Sequence, residues 1–108
     1  MNATRKAQYL ARARIIKALA HPSRLMIVDE LAAQPRCVSD LRKAVGADLS
    51  TVSKHLSVLK HAGIVQDDKR GLQVFYHLRC PCVVSFFTCA ESVLKTTARD
   101  HLKALKGA

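Results

Sequence analysis

Four thiols and one cationic stretch hold most of the reactive side chains in this 108-residue chain. Cys80 and Cys82 flank Pro81, Cys89 follows seven residues after Cys82, and Cys37 stands alone far upstream. Thiolates select soft ions such as trivalent arsenic and antimony, cadmium, lead and zinc. Three of them with no evident fourth ligand suit the pyramidal habit of As(III) or Sb(III) better than the tetrahedron of zinc. Cys80, Cys82 and Cys89 are therefore the expected metal site, built within one chain, with Cys37 the outlying alternative.

Spacing restricts how such a site is made. If one helix spanned both Cys82 and Cys89, its rise would part the two residues by about 10 Å. Ligands bonded to one ion at roughly 2.3 Å must lie within about 4 Å of each other. Either residues 82–85 loop back ahead of a helix capped by Ser85, or the triad gathers only when the ion arrives. Val83 and Val84 are weak helix formers and are compatible with a loop. Oxidation of two of these thiols to a disulfide is the metal-free alternative.

The second chemical feature is residues 48–65, DLSTVSKHLSVLKHAGIV. Leu49, Val52, Leu56 and Leu59, widened by Val58 and Ala62, recur as one buried helical face. Asp48 or Ser50 can cap the start and Gly63 the end. The opposite face carries Ser50, Thr51, Ser53, Lys54, His55, Ser57, Lys60 and His61, and no carboxylate occurs from Leu49 to Gln66. A face of donors and cations alone suits phosphates and base edges.

The whole chain agrees with that preference. Eighteen Lys and Arg against eight acidic residues give a formal net charge of +10, large for one small domain, and nucleic acid is the commonest polyanion. The cations are spread along the chain rather than along one amphipathic helix, which argues against a membrane surface. A mean hydropathy near zero and an uncharged run (80–90) too short to cross a bilayer argue against a spanning protein. The basic N-terminus has no apolar core of a signal peptide, so a cytoplasmic chain with reduced thiols is expected. Residues 1–108 read as a single domain.

These residues need a scaffold. Residues 5–20 read as a helix with Tyr9, Ala13, Ile16 and Leu19 or Ala20 on its inner side. A second helix starts at Pro22 and stops before Pro35. A third follows Cys37, with Ser39 a possible cap and Gly46 its end. Ahead of the 48–65 helix it makes a helix-turn-helix. Ile64 and Val65, then Leu72, Val74, Tyr76 and Leu78, read as a two-stranded ribbon turning through Asp67-Asp68-Lys69-Arg70-Gly71. Residues 85–106 form a last helix whose apolar band, including Phe86, Phe87, Val93, Leu94, Leu102 and Leu105, exceeds what one small core can absorb. That excess predicts dimerisation through both terminal helices. The expected fold is mainly α with a small β-hairpin, a winged helix-turn-helix of about five helices. No nucleophile–base–acid set or phosphate-cradling glycine loop occurs, so an enzyme is not expected.

Three segments carry a family resemblance: Leu19-Ala20-His21-Pro22-Ser23-Arg24-Leu25, Val52-Ser53-Lys54-His55-Leu56 through Val65, and Gly71-Leu72-Gln73-Val74-Phe75-Tyr76-His77-Leu78. In this order the chain resembles the ArsR/SmtB family of winged-helix repressors, which sense metals, metalloids or thiol-reactive species. The resemblance implies a homodimer that sits on an inverted repeat in double-stranded operator DNA and lets go when its inducer binds. It places Ser50, Thr51, Ser53, Lys54 and His55 in the major groove, and Lys69 and Arg70 at phosphates or the minor groove. A cluster like Cys80, Cys82 and Cys89 occurs in some arsenite-responsive members. The arsenic-type Cys-Val-Cys pattern of the third helix is incomplete here, because Ser39 stands for its second thiol. Other readings are a Cd-, Pb- or Zn-responsive repressor, a thiol-redox repressor, and a ligand-independent nucleoid-type DNA binder.

Overall fold

The computed structural model describes residues 2–107. Five α-helices and three short strands follow one another: α1 (Ala3–Leu19), α2 (Pro22–Ala33), β1 (Arg36–Cys37), α3 (Val38–Val45), α4 (Leu49–His61), β2 (Val65–Arg70), β3 (Gln73–Leu78) and α5 (Ser85–Gly107). A 3₁₀ turn, Pro81–Val84, joins β3 to α5. No described helix is long and apolar enough to cross a membrane.

Local chemistry sets the boundaries. Asn2 caps α1 by accepting the Arg5 N–H at 2.8 Å. His21 caps α2, its Nδ1 accepting the Ser23 N–H at 3.1 Å, and Pro22 fills the first helical turn. Asp48 caps α4 through the Thr51 N–H at 2.8 Å. At its far end the Gly63 N–H donates to the Lys60 carbonyl and the Ile64 N–H to the Leu59 carbonyl, both at 3.0 Å. This double closure needs a left-handed residue, which Gly63 supplies at φ 81°, and it buries Ile64 beside Leu59.

The core lies between α2, α3 and α4. Ile27, Val28, Leu41, Val52, Leu56 and Leu59 are all but sealed from solvent, and Val65 and Val83 join them from the wing and the 3₁₀ turn. Two members of the expected α4 stripe are not in it: Leu49 is 54% and Val58 38% exposed. Leu49 opens the helix beyond the edge of the core, and Val58 lies to one side of the 52–56–59 line.

The sheet has three strands, in the order β1-β3-β2, rather than two. Two residues, Arg36 and Cys37, pair with Tyr76 and Phe75 and give the ribbon a third edge. Such a two-residue strand has no periodicity to read. The hairpin also turns later than expected. β2 runs through Asp67, Asp68 and Lys69 as far as Arg70, which pairs with Gln73, so Gly71 and Leu72 alone make the turn. Gly71 has φ 63°, the positive angle that a type II′ turn requires at its first central position. Leu72, expected in a strand, sits fully exposed at the tip. Ser39 does not cap α3; that position belongs to Cys37, which makes no side-chain capping bond.

The terminal helices stand apart from this core. In α1 only Ala18 and Leu19 are buried, and α5 has no buried residue at all. Of the expected inner face of α1, Leu19 is buried while Tyr9 and Ile16 are open, at 45% and 56% exposure. The radius of gyration is 17.4 Å, against about 13 Å for a compact domain of this length, because the two helices project.

Candidate nucleic-acid interface and thiol cluster

The polar face of α4, the expected DNA-contacting side, is open where the sequence placed it. Ser50, Thr51, Ser53 and Lys54 are exposed, while His55 is half-buried. The Ser50 hydroxyl donates to Asp48 Oδ1 at 3.0 Å. Hydrogen bonds from Thr51 and then Ser50 hold the Asp48 carboxyl below its usual range, so the cap stays anionic. Asp48 is thus occupied by the helix start and leaves the donors beyond it unopposed.

His55 is less free than the others. Its Nδ1 accepts the Nε–H of Arg24 at 3.2 Å, and its ring lies 4.4 Å from that of His21. Burial, then the neighbouring His21 and Arg24, push the His55 pKa below its ordinary value and keep it neutral. Arg24 also donates through Nη1 to the Ala18 carbonyl at 3.1 Å. The conspicuous His21-Pro22-Ser23-Arg24 segment therefore caps α2 and ties the end of α1 to α4.

Two cations near the reading face are partly committed. Lys60 Nζ lies 3.0 Å from Asp67 Oδ2, linking α4 to β2. Arg70 Nε is 3.3 Å from Asp68 Oδ2, with its guanidinium 4.9 Å from the centre of the Phe75 ring. Lys69 makes no ion pair among the described residues. One pair of cations escaped the sequence reading. Arg42 and Lys43 of α3, with Ser39, Gly46 and Ala47, line a cleft of about 460 Å³ beside the helix-turn-helix turn. The first helix of such a motif crosses the DNA backbone. The signal available in the sequence was two adjacent cations in the helix preceding α4.

The thiols divide into one and three. Cys37 is buried where β1 meets α3. Cys80, Cys82 and Cys89 are exposed, on the extended residue before the 3₁₀ turn, within that turn, and in the second turn of α5. Residues 82–85 do not loop back. The 3₁₀ turn runs directly into α5, pinned to the core by buried Val83. Among the described residues no three of His, Cys, Asp and Glu are gathered in a metal-binding group. The three thiols have the donor chemistry for a soft trivalent ion, and of the two arrangements the spacing allowed, the ungathered one is present. Cys89 lines an apolar cleft of about 410 Å³ with Ile16 and Leu19 of α1 and Phe86 of α5.

The profile of the bacterial regulatory protein, arsR family, matches residues 21–67, from the α2 cap through the first residues of the wing. Over 99 residues the chain is 31% identical to the uncharacterized HTH-type transcriptional regulator Rv0081 of Mycobacterium tuberculosis, covering 91% of this chain and 87% of that one. The chain belongs to the ArsR family. The crystal structure of Rv0081 superposes with a TM-score of 0.78 at 31% identity, over 88% of this chain and 96% of that chain. A further neighbour is the homodimeric winged helix-turn-helix DNA-binding domain of Mb0332 from Mycobacterium bovis, described as a possible ArsR-family transcriptional regulator. Its TM-score is 0.73 at 31% identity, over 96% and 93% of the two chains. The transcriptional repressor BigR of Xylella fastidiosa gives 0.71 at 28% identity, over 86% and 96%. The ArsR-type winged helix-turn-helix expected from the sequence is the fold that is found.

Proposed function

We propose that this ArsR-family chain is a homodimeric repressor that grips operator DNA and lets go when As(III) or Sb(III) is captured by Cys80, Cys82 and Cys89. The DNA-binding part is carried by the open face of α4, where Ser50, Thr51, Ser53, Lys54 and His55 meet no carboxylate other than the committed Asp48. Lys69 and Arg70 on the wing and Arg42 and Lys43 on α3 would flank that face with phosphate contacts. Homodimerisation draws on the uncovered apolar surface of α1 and α5, and the related Mb0332 domain is described as homodimeric and DNA-binding.

The metalloid part rests on one observation: three exposed thiols, ungathered among the described residues, span the joint between the wing and α5. Drawing them together would rework the 3₁₀ turn and shift the wing against the dimer helix. Two reading helices must keep a fixed separation to occupy both half-sites. A coupling of about 3 kcal/mol between inducer and operator then gives a large change in occupancy. Operator binding followed by fluorescence anisotropy, with arsenite, antimonite, cadmium, lead, zinc and an oxidant added in turn, tests the reading. Release by arsenite that disappears in Cys82→Ser is the expected result; release by an oxidant alone would replace it with a redox switch.

A further inference from the structure

Resting on the DNA-binding reading above, we infer that Arg24 is a positioning residue for sequence recognition. Its Nε–H fixes His55 as the tautomer whose only proton is on Nε2, leaving that N–H as a dedicated donor to the operator.

The argument starts from the two ring nitrogens. A neutral imidazole carries one N–H and one acceptor, and the partner of one nitrogen sets the role of the other. Arg24 is a guanidinium and can only donate. At 3.2 Å from Nε its partner Nδ1 must therefore be the bare acceptor. The proton is left on Nε2, which has no hydrogen-bond partner among the described residues. His55 follows Lys54 on the helix whose other polar residues are exposed, and it is itself only half-buried. A single N–H donor pairs with guanine O6 or N7, adenine N7 or thymine O4, and is rejected by the cytosine amine.

Arg24 is well held for this task. Its second anchor, the Ala18 carbonyl at 3.1 Å, fixes the guanidinium from the α1 side. His21, whose ring lies tilted 4.4 Å from that of His55, spends its own Nδ1 on the Ser23 N–H, so it does not compete for Arg24. Among the described residues, the charged and titratable groups that act on His55 are His21 and Arg24, and the α1 contact is a neutral carbonyl. Protonation of Nδ1 would set two donors facing each other, so acid breaks this arrangement rather than strengthening it.

Long-range proton–nitrogen correlation spectra of the wild-type imidazoles read the tautomer directly. We expect His55 to show a bare Nδ1 and a protonated Nε2 at neutral pH. The same protein is then titrated with a duplex it selected from a random pool and with a scrambled duplex of equal length. Arg24→Met is expected to lower affinity for the selected duplex on the order of tenfold, with scrambled-duplex affinity nearly unchanged. His55→Phe, which keeps an aromatic ring but removes the Nε2–H donor, should show the same selective loss. An Nδ1–H tautomer in the wild type overturns the inference without a variant, so failure of Arg24→Met to fold does not shelter it. Equal loss on both duplexes in Arg24→Met, or undiminished preference in His55→Phe, overturns it as well. If the wild type itself has no preference, the DNA reading fails and the inference with it.

Discussion

Lys60 Nζ lies 3.0 Å from Asp67 Oδ2, so the last turn of α4 is tied to the first strand of the wing. This bond holds the Asp67 carboxyl below its usual range. A carboxylate depressed in the folded state contributes stability above its unfolded pKa and loses it as pH falls through the lower folded value. Acidification should therefore loosen the wing while the apolar core persists. Amide exchange in β2 and β3 should quicken before exchange in α2. Asp67→Asn should reproduce this at neutral pH with little change in melting temperature, since the pair is exposed. It would also release Lys60 toward DNA and steepen the salt dependence of binding. Unchanged exchange in the wing of Asp67→Asn would mean the bond does no positioning.

The free cations make a complementary prediction. Each phosphate contact contributes about 0.9 to the slope of log affinity against log salt. Lys54→Ala, and Arg42→Ala on the neighbouring helix, should each flatten that slope by roughly one contact. Lys60→Ala should leave it nearly as it was, because that ammonium is already paired. The slope, measured on one duplex between low and physiological salt, separates the three. If Arg42→Ala behaves like Lys60→Ala, the α3 cleft is not part of the interface.

What could be read in advance follows from which signals are local. The α4 cap at Asp48, the Gly63 closure and the 52–56–59 stripe are written in neighbouring residues, and each is found. The two-residue strand Arg36–Cys37 and the position of the wing turn depend on register against β3, which no short window contains. The same holds at the interface. Ser50, Thr51, Ser53 and Lys54 needed only helical spacing, whereas the Arg24–His55 bond joins residues 31 apart. Leu49 and Val58 were misplaced because a helical stripe shows which side faces inward but not where the neighbouring helices end.

The terminal helices supply a third prediction. Val93, Leu94, Leu102 and Leu105 are between 55% and 77% exposed on α5, and Ile16 is 56% exposed on α1. Apolar surface of this kind, outside a core that is already closed, asks for a second copy. Leu94→Glu should yield a monomer by sedimentation at micromolar concentration, with the fold of residues 22–78 intact by circular dichroism. Losing the second half-site should weaken operator binding by on the order of a hundredfold, or about 2.7 kcal/mol. A Leu94→Glu protein that still sediments as a dimer would place the interface elsewhere.

The buried side chain of Val83 lies at the centre of the proposed switch. It anchors the 3₁₀ turn to the core, between Cys82 and α5, and is only 7% exposed. Gathering Cys80, Cys82 and Cys89 requires this turn to be remodelled, so part of the ion-binding energy must go into displacing Val83. Val83→Ala removes two methyl groups from the core and should lower stability by about 2 kcal/mol. Because the anchor is weakened before the ion arrives, the apparent affinity for arsenite should rise, and operator release should begin at lower arsenite. Thiol labelling gives a second reading of the same event. Cys80 and Cys82 should react quickly in the free protein and be protected by arsenite, while buried Cys37 reacts slowly in either state. If Val83→Ala lowered stability yet left the arsenite midpoint where it was, the thiols would not be coupled to this turn, and the remodelling step would be wrong.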